Sequence, residues 1–214
     1  MMYILAFETT GKNASVACID EEGELICENS DGTYNHLQSL IPMTSSLLKK
    51  SGIAVRDISC VAASAGPGSF TGIRIGVTTA RAFAQAAGIP CIAVPTLQTF
   101  VYNVEDYQGL VCPMLDARRE QIYGGAYIWA EDKTDIKTVI PGGAYGADEY
   151  LELLPELGVC DIMFFGDGMQ KASSVAKMAL KLWNEGKQIS YGGFTPMYMR
   201  KAEAERKLEA AQNG

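Results

Sequence analysis

Histidine is nearly missing from this chain: His36 is the only one in 214 residues. A catalytic zinc site draws on two or three imidazoles, and a Ser-His-Asp relay would have to pass through this single ring. His36 follows Asn35 where a helical pattern begins, so helix-start chemistry with Asn35 as the N-cap is the simpler reading. Basic residues are the second shortage. Lys and Arg number 18 against 25 Asp and Glu, a net charge of −7. Affinity for a phosphate backbone comes mainly from Lys and Arg, which argues against a stand-alone nucleic-acid binder. The small clusters at Arg118-Arg119, Arg200-Lys201 and Arg206-Lys207 read as solvated surface. Paired cysteines are missing too: Cys18, Cys27, Cys60, Cys91, Cys112 and Cys160 form no C-x-x-C, and most sit in apolar runs. Buried free thiols in a reducing compartment are the natural reading. No run is long and apolar enough to span a bilayer, and no basic-then-apolar leader precedes the first strand pattern at Tyr3 to Phe7, so a cytoplasmic location away from membranes is expected.

Apolar residues make up 48% of the chain, enough to close a core of one large domain or two lobes. Strand patterns cover Tyr3–Glu8, Ala14–Ile19 and Glu24–Glu28, followed by a helix over His36–Lys50 that contains Pro42. A strand at Ile58–Ser64, a helix over Arg74–Ala87 and a strand at Ile89–Val94 come next. The second half repeats the order with strands at Leu110–Leu115, Gln121–Trp129 and Thr134–Ile140, a helix over Ala147–Leu154, a strand at Ile162–Phe165 and a helix over Gln170–Glu185. Strand-strand-strand-helix-strand-helix, written twice, is the order of the two-lobed α/β actin-like ATPase fold with ribonuclease-H-like lobes. The expected division is 1–104 for the N-terminal lobe, with its glycine-rich turn and partner-binding helices, and 105–214 for the C-terminal lobe with a charged, helix-prone tail beyond Tyr198.

The richest stretch is Ala65-Gly66-Pro67-Gly68-Ser69-Phe70-Thr71-Gly72-Ile73-Arg74-Ile75-Gly76. It joins a buried strand to a helix, a junction that aims backbone N–H groups and the positive helix end at one point. It has neither the Gly-Lys-Ser/Thr of a Walker loop nor the spacing of a dinucleotide fingerprint. Gly66, Gly68 and Ser69 therefore either touch a phosphate or make a tight turn. Glu8, Thr9 and Thr10 at the end of the first strand pattern, and Gly166, Asp167 and Gly168 at a later strand-to-helix turn, admit the same two readings. Asp116 to Glu120 reads as a polar hairpin tip with local ion pairs. Gly72, Gly76, Ala80, Ala84 and Gly88 recur every fourth residue, a small-residue stripe that costs about 1 kcal/mol per interior glycine. Such a stripe either packs inside the chain or is kept open for a second protein.

Together these residues resemble the TsaB (YeaZ) family of tRNA threonylcarbamoyladenosine biosynthesis proteins, of the glycoprotease-like superfamily. The resemblance rests on Ile4 to Thr10, Ala14 to Ala17, His36-Leu37 with Leu40-Ile41-Pro42, the run Ala65 to Ala87, Asp116-Ala117-Arg118, Gly166-Asp167-Gly168, and Pro196 to Arg200. Glu8 stands where the family more often has Asp. The resemblance implies a non-catalytic subunit with no catalytic residue, no metal and no required cofactor. ATP or ADP is a candidate ligand at a vestigial phosphate site. It also implies pairing with the catalytic relative TsaD and the ATPase TsaE, a homodimer when alone, and tRNA reached mainly through those partners. TsaD carries a His-x-x-x-His metal pair where this chain has Thr96 and Phe100. The implied partner face is made by the first two helices, through His36, Leu40, Met43, Leu47, Gly72, Arg74, Gly76, Ala80 and Ala84. The alternative is a stand-alone enzyme of the same fold, an ATPase, kinase-like or peptidase activity using acids such as Glu8 or Asp167.

Overall fold

The computed structural model describes residues 2–29 and 36–199, with backbone alone at 27–29, 36 and 37. The expected Asn35 cap, the His36 side chain and the charged tail from Arg200 lie outside the described residues. The first half forms β1 (Tyr3–Glu8), β2 (Ser15–Asp20), β3 (Leu25–Asn29), α1 (His36–Ser51), β4 (Ile58–Gly66), α2 (Phe70–Ala87), β5 (Cys91–Pro95) and the short α3 (Thr96–Thr99). The second half forms β6 (Leu110–Asp116), β7 (Gln121–Trp129), β8 (Ile136–Gly146), α4 (Ala147–Leu153), β9 (Ile162–Phe165) and α5 (Ala172–Asn184).

Each half folds its strands into one sheet. The first has the order β3-β2-β1-β4-β5 and the second β8-β7-β6-β9. In both, the first three strands run antiparallel and the fourth joins the first in parallel. This is the ribonuclease-H-like arrangement, with a fifth strand only in the first sheet. Alternation within β1 shows why that sheet must be covered twice. Leu5 and Phe7 join a core with α1 and α2, built on Leu40, Leu47, Ile73 and Val77. Ile4 and Ala6 point the other way, into a core with Val175, Ala176 and Ala179 of α5. Strands buried on both faces read as continuous apolar runs, which is what β1, β2 and β4 are.

The helix that follows β9 therefore leaves its own sheet and layers on the first one. The Ala172 amide at its start donates to Ser15 Oγ of β2 at 2.9 Å. The expected division near residue 104 separates the two sheets, while α5 belongs by packing to the first. Two boundaries moved by more than two residues. α2 starts four residues earlier than the pattern predicts, because Ser69 caps it by accepting the Gly72 amide at 3.2 Å. β8 runs on past Ile140 through Pro141-Gly142-Gly143, residues tolerated because β8 is an edge strand with an irregular register against β7.

Candidate functional site in the cleft between the sheets

Parallel strands in this arrangement end on the same side, and ligands of open α/β sheets bind beyond those ends. Four turns meet there: residues 9–14 after β1, 67–69 after β4, 117–120 after β6 and 166–171 after β9. They enclose a cleft of about 1010 Å³. Thr10, Lys12, Gly68, Ser69, Asp116, Arg118 and Asp167 line it, with the first turn of α2 as one wall. Asp116 and Asp167 meet where the Asp116 amide donates to Asp167 Oδ2 at 3.1 Å. Arg118 lies 3.2 Å from the Asp116 carboxylate, the local ion pair expected of this hairpin tip. Arg118, Arg119 and Glu120 all have positive φ, at 64°, 57° and 60°, a conformation L residues adopt at a cost.

Of the expected phosphate-site residues, Thr10, Gly68, Ser69 and Asp167 reach the cleft. Gly166 and Gly168 flank it on an exposed turn. Glu8 and Thr9 do not act as expected. Glu8 is fully buried, and its oxygens accept from the Thr10 amide at 2.5 Å, Thr10 Oγ1 at 2.6 Å and the Ser64 hydroxyl. Burial pushes its carboxyl above the usual range, against the pull of those donors. It braces the β1–β4 junction and offers no oxygen to a ligand. Thr9 Oγ1 donates to the Gly72 carbonyl at 2.7 Å, which makes it a strut to α2. The Thr10 carbonyl accepts the Ser69 amide at 2.9 Å, fixing the glycine turn over the cleft floor. Gly66 is buried because the C-terminal segment crosses it: a Cβ there would stand 2.3 Å from the Met197 carbonyl oxygen, and its φ is +127°. The Met197 amide donates to the Ala65 carbonyl at 2.7 Å.

The small-residue stripe on α2 also corrects an expectation. Gly72, Gly76, Ala80 and Ala84 are buried against this chain's own sheet, so none of them presents a surface. A Cβ on Gly72 would sit 1.9 Å from the Thr9 carbonyl oxygen and one on Gly76 2.5 Å from Thr9 Oγ1. The stripe lets α2 lie close on β1 and β4. Leu40 and Leu47 of α1 also point inward, each 1% exposed. Of the residues expected at a partner face, Arg74 is exposed and Met43 half-buried.

Sequence reasoning missed the group that covers the start of α2. Phe70 and Tyr198 stack at 4.7 Å, the Arg74 guanidinium lies 4.0 Å from the Phe70 ring centre, and Arg74 Nε donates to Tyr198 Oη at 2.9 Å. No local signal links residues 124 positions apart. A second groove of about 720 Å³ runs along α5, beside Tyr102. Its cations are already paired, Lys177 with Glu105 at 2.5 Å and Lys181 with Asp135 at 3.0 Å. Four cysteines, Cys18, Cys60, Cys91 and Cys112, are buried free thiols, and Cys160 is exposed. Among the described residues no three His, Cys, Asp or Glu side chains are grouped to hold a metal, and no helix is long and apolar enough to cross a membrane.

Two ribonuclease-H-like sheets with a cleft at their strand ends and a glycine-rich turn over its floor define a protein of the actin-like α/β class. Residues 31–185 match the family model of TsaD, the tRNA N6-adenosine threonylcarbamoyltransferase. The tRNA threonylcarbamoyladenosine biosynthesis protein TsaB of Bacillus subtilis is 31% identical over 99% of this chain and 100% of its own length. TsaB of Escherichia coli is 30% identical over 97% of this chain and 98% of its own. The solved YeaZ structure from Pseudomonas aeruginosa superposes with a TM-score of 0.80, at 23% identity, over 92% of this chain and 100% of that one. The chain belongs to the TsaB (YeaZ) family.

Proposed function

We propose that this chain is the non-catalytic subunit of a tRNA threonylcarbamoyladenosine-forming complex, binding and activating a TsaD-family subunit that performs the transfer. Membership of the TsaB family supports the place in tRNA modification. The observation that carries the non-catalytic role lies at α3. Thr96 and Phe100, which the family resemblance sets at the positions of a metal-binding histidine pair in TsaD, are 0% and 1% exposed. Phe100 packs on Phe165 at 5.6 Å in an apolar core, and neither side chain lines the cleft. A position filled by a phenyl ring in a core has no ligand to give a metal. The outer faces of α1 and α2 are the surface we assign to the partner, with a TsaE-type ATPase and tRNA joining through that assembly. The same face would pair two copies of the chain when the partner is missing.

One observation favours the alternative of an independent ATPase-like activity: the cleft holds two carboxylates, Asp116 and Asp167, opposite the start of α2. Reconstitution separates the two readings. With tRNA, ATP, threonine, bicarbonate and the partner proteins, omission of this chain abolishes modification under the subunit reading. ATP turnover by the isolated chain that disappears in Asp167→Asn would establish the enzyme reading instead.

A further inference from the structure

Charge is distributed unevenly over this acidic chain. Neither α1 nor α2 contains an Asp or a Glu, although the whole chain carries 25 acids. Lys49 and Lys50 end α1, and Arg74 and Arg81 stand two turns apart on α2; all four are exposed. The two helices cover the same face of the first sheet, since both contribute to one core with Leu5 and Phe7. Their outer sides therefore form one basic surface on a chain of net −7. The connection to β4 supplies Asp57, which is already engaged by Arg56 at 3.9 Å and by the Ala54 amide at 2.9 Å. Among the described residues no carboxylate pairs with Lys49, Arg74 or Arg81. The surface also has apolar anchors: Ile41 is 55% exposed and Phe70 38%.

Arg74 is held ready. Its Cζ lies 4.0 Å from the Phe70 ring centre, and its Nε is tied to Tyr198 Oη. A guanidinium fixed in this way loses little freedom on binding, and its planar fork matches a carboxylate. Apolar anchors beside arginine are the usual composition of a protein-binding centre. The acidic remainder of the chain repels a polyanion such as tRNA.

We propose that the α1/α2 face selects a protein partner bearing a carboxylate-rich face, and that the same charge disfavours pairing with a second copy of this chain. The proposal rests on the reading above that this face takes the partner. Two copies meeting through it would bring Arg74, Arg81 and the lysines of α1 against their own kind, whereas an acidic partner face turns each into an attraction. Discrimination of this sort needs a repulsive element against the wrong partner as well as an attractive one for the right partner.

Salt separates the two pairings. The full-length chain is titrated against the TsaD-family subunit of the same organism from 25 to 500 mM NaCl, and its self-association is followed over the same series by sedimentation. Screening weakens the heterocomplex about tenfold, mainly in the association rate, and tightens the homodimer. A heterocomplex indifferent to salt, or a homodimer indifferent to salt or weakened by it, overturns the proposal. The double variant Arg74→Gln/Arg81→Gln, checked for an unchanged melting temperature, slows association with the partner and strengthens self-association. If that variant instead loses tRNA binding and keeps its partner, the face reads nucleic acid and the proposal fails. A wild-type chain that binds no TsaD-family subunit at any salt sinks the functional reading, and the self-association series then decides the charge argument alone.

Discussion

Gly72→Ala gives a test in which two accounts of α2 disagree in sign. If the small-residue stripe were open surface, the substitution would only improve helix propensity and stabilise the isolated chain by about 1 kcal/mol. The structure requires the opposite. The new methyl group would lie 1.9 Å from the Thr9 carbonyl oxygen and 3.0 Å from its carbon. Both are backbone atoms of a segment held by Thr10–Glu8 and Thr10–Ser69 hydrogen bonds, so the start of α2 must lift off the sheet. Overpacking of this kind costs about 1–3 kcal/mol, and lifting α2 also breaks the Thr9–Gly72 hydrogen bond, worth about 1 kcal/mol. After the propensity gain the net loss is about 2 kcal/mol, a fall in Tm of about 4–8 °C for a chain of this size. Thermal and urea unfolding of the isolated protein measure it. Gly88→Ala is the control: its φ of +68° makes alanine costly by about 1 kcal/mol, yet nothing stands within 4 Å. A Gly72→Ala protein as stable as the parent, or more so, refutes the close approach of α2 to β1.

Glu8 makes stability depend on pH in a defined direction. Its folded-state pKa is raised, so the folded protein holds this proton more tightly and the contribution of Glu8 falls as pH climbs above about 4.5. Glu8→Gln removes that dependence, so the variant gains on the parent between pH 4.5 and 7; a gap that stays flat or reverses contradicts a buried, proton-holding carboxyl. Burial also pushes the Cys18 and Cys60 thiols up to about 12 and Cys91 up to about 11. With a thiol reagent at pH 8, Cys160→Ser abolishes one rapidly reacting group, while Cys18, Cys60 and Cys91 stay silent until unfolding. Phe194, fully buried between the C-terminal segment and the first sheet, loses about 3–5 kcal/mol on change to Ala, read by urea midpoint.

The strands were the most legible part of the sequence. β1, β7 and β9 begin and end where the apolar pattern does, because a strand's burial is written in its own residues. The orientation of α2 was not legible. Ile73 and Val77 and the Gly72–Ala84 stripe are both apolar, both are buried, and nothing local says which surface lies against them. The deciding atom is the carbonyl of Thr9, more than sixty positions away in the chain. Glu8 shows the same limit. Its Thr10 partner is two residues on and readable as a turn, but Ser64, 56 residues away, turns an apparent cleft acid into a buried brace. The cleft itself was half legible: glycines and hydroxyls mark the turns around Thr10, Ser69 and Asp167, whereas the Asp116–Asp167 contact needs the second sheet to form.

Activation of a catalytic relative through the α1/α2 surface, as proposed, is read from the rate of threonylcarbamoyladenosine formation in the reconstituted system, comparing wild type, Ile41→Asp and no added chain. Ile41 is 55% exposed, so the substitution leaves Tm unchanged. Full activity is expected with wild type, and near-background activity with Ile41→Asp and with no chain. Equal rates in all three reactions would rule out activation through this surface.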